Sequence, residues 1–256
     1  MKKIFTVVIL FIVIFDFVSC KKSPTEPEVN TNPPAEDVWS SFSYPAFSYT
    51  DRDANGSGAY FETYVGDPDT LMKSLALQDC RVLYHDPGEA PKIKQISLVV
   101  DTLNGVAYTN GIAVSSEMTL FSSNYLSSIM SNRSKSAVIS EIEGVLAHEE
   151  THIWQKNADY GSTDGWSVIE GEADAVRYLT GHDNIKRRSQ GGKWTDGYTT
   201  TGFFIVWLQQ NKDKDFLYKL NQYVGTHYEF NWDVACQHIL NEAVVDLWNE
   251  YQAAIN

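Results

Sequence analysis

The chain has 256 residues, of which 43% are hydrophobic and 13% aromatic. This composition suits a packed globular protein and excludes a largely disordered one. The formal net charge is −13, so a nucleic-acid partner is disfavoured, because binding to polyanions depends on a basic surface.

The N-terminal sequence predicts an export signal. Two lysines precede an apolar stretch, Ile4 to Phe15, which is shorter than the roughly 18 residues of a membrane-spanning helix. Val18-Ser19-Cys20 resembles a bacterial lipobox, which implies cleavage before Cys20 and acylation of its sulfur. We therefore interpret residues 1–20 as a lipoprotein signal peptide and expect a lipid anchor in the bacterial cell envelope, at the outer membrane. The alternative is an ordinary secretory signal and a secreted protein.

Residues 21–38 predict a disordered tether, and residues 39–256 predict the folded domain. The segment KKSPTEPEVNTNPPAE contains four prolines and little apolar surface, so burial cannot offset the entropy of ordering it. The domain retains two cysteines, Cys80 and Cys236. A disulfide and two buried free thiols are both compatible with the sequence.

The first half of the domain predicts mixed secondary structure. Asp67 and Pro68 begin a helix, as an N-cap followed by proline in the first turn. The β-branched run Ile96 to Asp101 predicts a strand, and Asn110-Gly111 predicts a hairpin turn between the pieces VAYT and IAVSS.

The second half predicts helices. From Ser134 onward, apolar residues recur at helical spacing on one face, and the segment VIEGEADAVRYL predicts a further helix. The expected class is therefore α+β, with a strand-bearing N-terminal lobe and a mostly α-helical C-terminal lobe. Later helices are predicted for Gly202 to Asn211, Asp215 to Tyr223, Asp233 to Leu240 and Asn241 to Ala254.

The segment HEETH predicts part of a metal site. His148 and His152 lie four residues apart, so a helix presents both imidazoles on one face. Glu149, beside them, could reach a metal-bound water without ligating the metal. This arrangement is typical of zinc-dependent hydrolases.

Two acidic residues on the next predicted helix are candidates for the third ligand that a catalytic zinc requires. Glu170 follows His152 after seventeen intervening residues, and Asp174 lies one helical turn beyond Glu170. The spacing favours Glu170 as the ligand and Asp174 as acceptor of the free ring N–H of His148. The reverse assignment stays open.

Several ordered blocks resemble a known family: HEETHIWQ, IEGEADAVRYL and KWTDGYTTTGFF, flanked by ISLVVD with GVAYTNG and by VVDLWNEYQ. Together they resemble the plant basic secretory protein family of proposed zinc metallopeptidases and its bacterial relatives. The resemblance runs from about Gly58 to the last helix. It implies a zincin-like metallopeptidase fold with the active-site cleft between the two lobes. The chain departs from the family's name by being acidic.

The resemblance also implies roles for individual residues. Glu149 is the expected general base, and His148, His152 and Glu170 are the expected Zn²⁺ ligands. In zincins an edge strand binds substrate, and residues 112–116 are the candidate, with a plain sheet strand as the alternative. Tyr198 is a candidate donor to the oxyanion, or else a core aromatic.

The sequence thus predicts a zinc metalloendopeptidase that acts on a protein or peptide substrate. A catalytically silent, membrane-tethered binding module with the same fold is the alternative. A metal hydrolase that cleaves a non-peptide bond is a third possibility.

The predicted lipid anchor depends on one sulfur atom. Because acyl chains on Cys20 would hold the protein at a membrane, Cys20→Ala should move it from the membrane fraction to the soluble fraction. Fractionation with immunodetection measures this, and a variant that stays membrane-bound would contradict the prediction.

Overall fold

The structure is a computed structural model that describes residues 37–113, 115–182 and 190–255, without the side chains of residues 112 and 113. The predicted signal peptide, Cys20 and most of the predicted tether lie outside these residues. Asp37, the first described residue, caps a short 3₁₀ helix, Val38–Ser41. All the elements below belong to one compact unit, Asp37–Asn256.

The strands form one four-stranded mixed sheet. Its strand order is β1-β2-β4-β3, with β1, β2 and β4 mutually parallel and β3 antiparallel to β4. β3 therefore lies at an edge of the sheet. The strands are β1 (Ala46–Asp51), β2 (Gln95–Asp101), β3 (Ala107–Ala113) and β4 (Ser116–Ser122).

Nine α-helices occur among the described residues, which gives an α+β protein, as predicted. None of them is long and apolar enough to cross a bilayer. They are α1 (Phe61–Val65), α2 (Pro68–Leu83), α3 (Ser123–Asn132), α4 (Lys135–Trp154), α5 (Thr163–Leu179), α6 (Tyr198–Asn211), α7 (Phe216–Val224), α8 (Trp232–Leu240) and α9 (Val244–Ala254).

Polar caps fix where the main helices begin. Asp67 caps α2, as predicted, and Ser134 and Ser162 cap α4 and α5 by accepting hydrogen bonds from backbone N–H groups of the first turn. α4 then runs through the middle of the molecule, packed against α2 on one side and α5 on another, with β3 nearby. Its position explains why residues 144–151 are all buried.

Some local predictions were wrong. Asn110-Gly111 lies inside β3, which pairs with β4 up to Ala113 opposite Ser116, and Ser115, just before β4, has a φ of 58°. The predicted helix start at Asn241 is also wrong, because Asn241 adopts a left-handed conformation that ends α8, and α9 starts at Val244. β1 and α3 were not predicted. Cys80 and Cys236 are free and buried, so they form no disulfide.

Three buried acidic side chains lie on α2, α4 and α5. Asp79, Glu150 and Glu172 are each fully buried. Glu150 accepts a hydrogen bond of 3.0 Å from the indole nitrogen of Trp154, but burial raises its pKa to about 8. The folded protein therefore binds the Glu150 proton more tightly than the unfolded chain does.

This proton makes stability depend on pH. Because the folded-state pKa of Glu150 exceeds its unfolded value, stability should fall as pH rises from about 4.5 to about 8. Over this pH range, Glu150→Gln should lose a few kcal/mol less free energy of unfolding than the parent does, since one pKa unit corresponds to about 1.4 kcal/mol.

The measurement is urea unfolding between pH 5 and 8.5, with a chelator present so that metal binding does not contribute. Glu229→Gln, on the exposed surface, is the matched control and should keep the parental pH profile. If the stability of Glu150→Gln depended on pH as that of the parent does, Glu150 would be ionised in the folded protein.

Candidate metal centre

Three electron-pair donors converge between α4 and α5. The Nε2 atoms of His148 and His152 lie 3.2 Å apart, and Oε2 of Glu170 lies 3.2 Å from the first and 3.8 Å from the second. Zinc–ligand bonds of about 2.0–2.1 Å in a tetrahedron place ligand atoms about 3.3 Å apart. Among the described residues this is the single group of three or more His, Cys, Asp or Glu side chains with the geometry of a metal site.

The ring nitrogen of His148 that faces away from this group has a fixed partner. Its Nδ1 lies 2.8 Å from Oδ1 of Asp174, and the hydroxyl of Thr199 donates to Oδ2 of the same carboxylate at 3.1 Å. Burial favours the neutral acid, but the hydrogen bond from His148 outweighs it and holds the pKa of Asp174 below its ordinary value. The ionised carboxylate therefore keeps the His148 proton on Nδ1.

An amide does the same for His152. Nε2 of Gln155 donates to the backbone carbonyl of Ile169 at 3.2 Å, which leaves Oε1 of Gln155 facing Nδ1 of His152 at 3.2 Å. Because this oxygen can only accept, the His152 proton lies on Nδ1. In their neutral forms, both histidines thus turn an Nε2 lone pair toward the carboxylate of Glu170.

The surroundings favour one positive charge at this point. Burial disfavours a charged His148, but its hydrogen bonds to Asp174 and Glu170 raise its pKa to about 10. Burial, together with the charge of His148, lowers the pKa of His152 to about 4. Two imidazoles and a carboxylate are the donor set that suits Zn²⁺, so the residues present fit the predicted ion.

Glu170, and not Asp174, lies beside both Nε2 atoms. The second oxygen of Glu170, Oε1, accepts a hydrogen bond from the hydroxyl of Tyr160, a residue of the loop before α5 that sequence reasoning missed. This hydrogen bond leaves Oε2 for a metal. Glu172, which lies between Glu170 and Asp174 in the sequence, is buried in the interior and lines no part of the site.

Glu149 is held against the sheet. The hydroxyl of Thr109 on β3 lies 2.9 Å from Oε2 of Glu149 and 3.1 Å from its backbone oxygen. Thr109 in turn lies 3.1 Å from the hydroxyl of the buried Thr119 on β4. Burial raises the pKa of Glu149, although the charge of His148 and the Thr109 hydrogen bond oppose the shift. Thr109 was also missed, since no spacing rule links it to HEETH.

Tyr198 lies at the site in a strained conformation. Its φ is 41°, although it is the first residue of α6 and not a glycine, and such strain concentrates at functional sites. Its ring stacks on His148 with centroids 5.9 Å apart, and 49% of the residue is exposed. Burial and the charge of Glu170 raise its pKa, so the hydroxyl stays protonated and can donate.

Close packing of α5 on α6 places Thr199 and Tyr198 at the site. A Cβ added at Gly202 would lie 2.9 Å from Cβ of Asp174, and one at Gly171 would lie 2.4 Å from Cγ2 of Thr201. Both glycines therefore permit an approach that any larger residue would prevent.

An open cleft of about 1210 Å³ contains these residues. α4 lies along one wall and β3 along the other, so the strand beside the site is Ala107–Ala113. The predicted substrate strand, residues 112–116, instead spans the end of β3, the turn and the start of β4. The predicted bounds of this strand are wrong because they assumed a turn at Asn110-Gly111; that an edge strand binds the substrate stays a prediction. Other lining residues include Val106, Tyr108, Glu117, Tyr125, Lys156 and Arg177.

Fold and site together define an α+β protein with a candidate His-His-Glu metal site in an open cleft. The chain belongs to the BSP family, described as "Peptidase of plants and bacteria", whose family model matches residues 44–251. The predicted family membership is confirmed. No curated protein and no solved structure matches the chain.

The geometry separates a ligand from a supporting residue. Glu170→Gln should weaken zinc binding more than Asp174→Asn, because loss of a supporting carboxylate typically costs about 10–100-fold in metal affinity. Competition with a zinc chelator measures both affinities. Glu143→Gln, on α4 outside the cleft, should bind zinc as the parent does. The opposite ranking of the two variants would make Asp174 the ligand.

Proposed function

We propose that this protein is a zinc metalloendopeptidase of the HExxH type, with a zincin-like arrangement in which the cleft separates a sheet-bearing lobe from a helical one. The observation that carries the proposal is the convergence of His148, His152 and Glu170 beside the buried carboxylate of Glu149. Membership in a peptidase family supports a protein or peptide substrate.

His148, His152 and Glu170 are the residues that would hold the ion. When bound there, zinc lowers the pKa of a water molecule and polarises the scissile carbonyl. Asp174 and Gln155 contribute by keeping both imidazoles in the tautomer that exposes Nε2.

Glu149 is the proposed general base. It takes a proton from the attacking water and passes it to the leaving amine. Thr109 holds the carboxylate in place through Oε2, which leaves Oε1 to accept the proton. Burial supports this role, because a raised pKa brings a carboxyl group closer to the working pH of a base.

Tyr198 is the proposed donor to the oxyanion that forms when water attacks the carbonyl. Its position at the site, with about half of the residue exposed, and its stacking on His148 support this role. The substrate would pair along the free edge of β3, where main-chain hydrogen bonds can extend the sheet. The exposed Tyr108 on this strand and Val106 immediately before it offer apolar contacts to the side chains of the substrate.

Glu149→Gln tests the mechanism directly. The amide keeps the volume and the contact with Thr109 but cannot take a proton, so zinc content should be unchanged while peptide hydrolysis falls by at least about 100-fold. A broad peptide-library digest analysed by mass spectrometry, with metal content measured in parallel, gives both values.

The digest also separates the other candidate functions. Parent protein that binds zinc and peptides without cleaving them would instead be a binding module. Zinc binding with hydrolysis of a non-peptide bond alone would point to a different hydrolase. Equal cleavage by Glu149→Gln and parent would exclude Glu149 as the base.

We also propose that the enzyme works outside the cytoplasm, held at the bacterial outer membrane by acylated Cys20, with secretion as the alternative. The lipobox-like sequence at Val18-Ser19-Cys20 supports the anchor. A tether of about 18 residues in extended form could span up to about 60 Å, so the cleft could reach substrates well away from the membrane surface.

A further inference from the structure

Glu117 is an acidic side chain of the cleft wall without a protein partner. It lines the same cleft as the metal ligands. Its carboxylate forms no hydrogen bond or ion pair with any residue in the described parts of the chain. Most other carboxylates of the cleft have partners: Glu141, for example, pairs with Arg133 at 2.5 Å and accepts from Tyr125 at 2.6 Å.

The sheet register gives the position of Glu117 relative to Thr109, which contacts the proposed base Glu149. Thr109 pairs with Thr119, and Gly111 pairs with Glu117 two residues further along each strand. Residues two apart share a face of a sheet and lie about 7 Å apart. Glu117 therefore shares the face from which Thr109 contacts Glu149, displaced by about the length of two extended substrate residues.

Gly111 leaves the carboxylate of Glu117 accessible. A Cβ at this position would lie 3.4 Å from Oε2 of Glu117, so a side chain there would cover the acid. The cations of the cleft do not neutralise it. Lys156 places its Nζ 5.4 Å from the ring centroid of Tyr84, and Arg177 lies near Asp174 and Glu141. Desolvation alone raises the pKa of Glu117, without a contribution from a neighbouring cation.

We propose that Glu117 forms a subsite for a cationic group of the substrate, about two residues from the scissile bond. The group is an ammonium or guanidinium, supplied either by a Lys or Arg side chain or by a free peptide N-terminus. The first source gives a peptidase selective for basic sequences, and the second gives one that works close to the N-terminus. This inference rests on the proposed peptidase function for its substrate class.

Peptide binding to zinc-loaded Glu149→Gln protein tests the subsite without turnover. Calorimetry would compare peptides that differ only by Lys or norleucine at each successive position, each with a free and an N-acetylated terminus. One position, or the free terminus, should bind about tenfold more tightly in its cationic form. Adding Glu117→Gln should abolish that preference, and adding Glu117→Lys should reverse it toward Glu-containing peptides.

Glu62→Gln is the matched control, since it removes the same charge from an exposed position on α1 outside the cleft. It should retain the tenfold preference. Equal binding of all peptides, no peptide binding, or a preference that survives Glu117→Gln would each overturn the subsite.

Hydrolysis by protein that retains Glu149 is measured separately. A cation preference that depends on Glu117, without any cleavage, would support the subsite and refute the peptidase. Cleavage without such a preference would refute the subsite alone.

Discussion

The structure depends on three lone pairs that face one another across less than 4 Å. Nε2 of His148, Nε2 of His152 and Oε2 of Glu170 repel one another unless a positive charge lies among them. Burial strengthens that repulsion, because charges and dipoles in a protein interior are poorly screened. Asp174 and Gln155 each hold a proton on the Nδ1 atom of their histidine, so the repulsion is relieved only by an added cation, either a second proton on His148 or a metal ion. The site is thus organised for a cation before the cation binds.

Holding such a site requires rigid supports on every side. The part of α4 that carries His148 and Glu149 is buried, so neither side chain can move without disturbing the core. α5 carries Glu170 and Asp174 and packs on α6, which Gly171 and Gly202 allow to come unusually close. That close packing brings Thr199 to Asp174. A metal ion at this site would therefore link α4 directly to the next helix, α5, and Asp174 links the site to α6 through Thr199.

The candidate metal ligands could be identified from the sequence because their geometry is local. His148 and His152 lie four residues apart, so any helix places them on one face. Glu170 follows on the next helix, whose N-cap is also visible in the sequence. Thr109, Tyr160 and Gln155 could not be found in this way. Thr109 lies beside Glu149 because of the sheet register. The predicted turn at Asn110-Gly111 gave a register that was shifted by several residues. The Asn-Gly signal failed because pairing between β3 and β4 continues past Gly111, and the chain turns only after Ala113. Tyr160 depends on the path of a loop, for which no periodicity exists.

Charge in the cleft is distributed unevenly, and this bears on how a substrate would approach. Asp174 is balanced by His148, and Glu141 by Arg133, while Glu170 faces the position of the cation. Glu117, on β4 opposite Gly111 of β3, has no ion-pair partner among the described residues, whereas Arg177 lies near Asp174. A chain of net charge −13 attracts cationic peptides from a distance, and a low-dielectric cleft concentrates that field. The long-range field alone would bind a basic peptide in any register. A fixed, unpaired carboxylate about 7 Å along the strand from Thr109 would instead select one register, and register decides which bond lies beside Glu149.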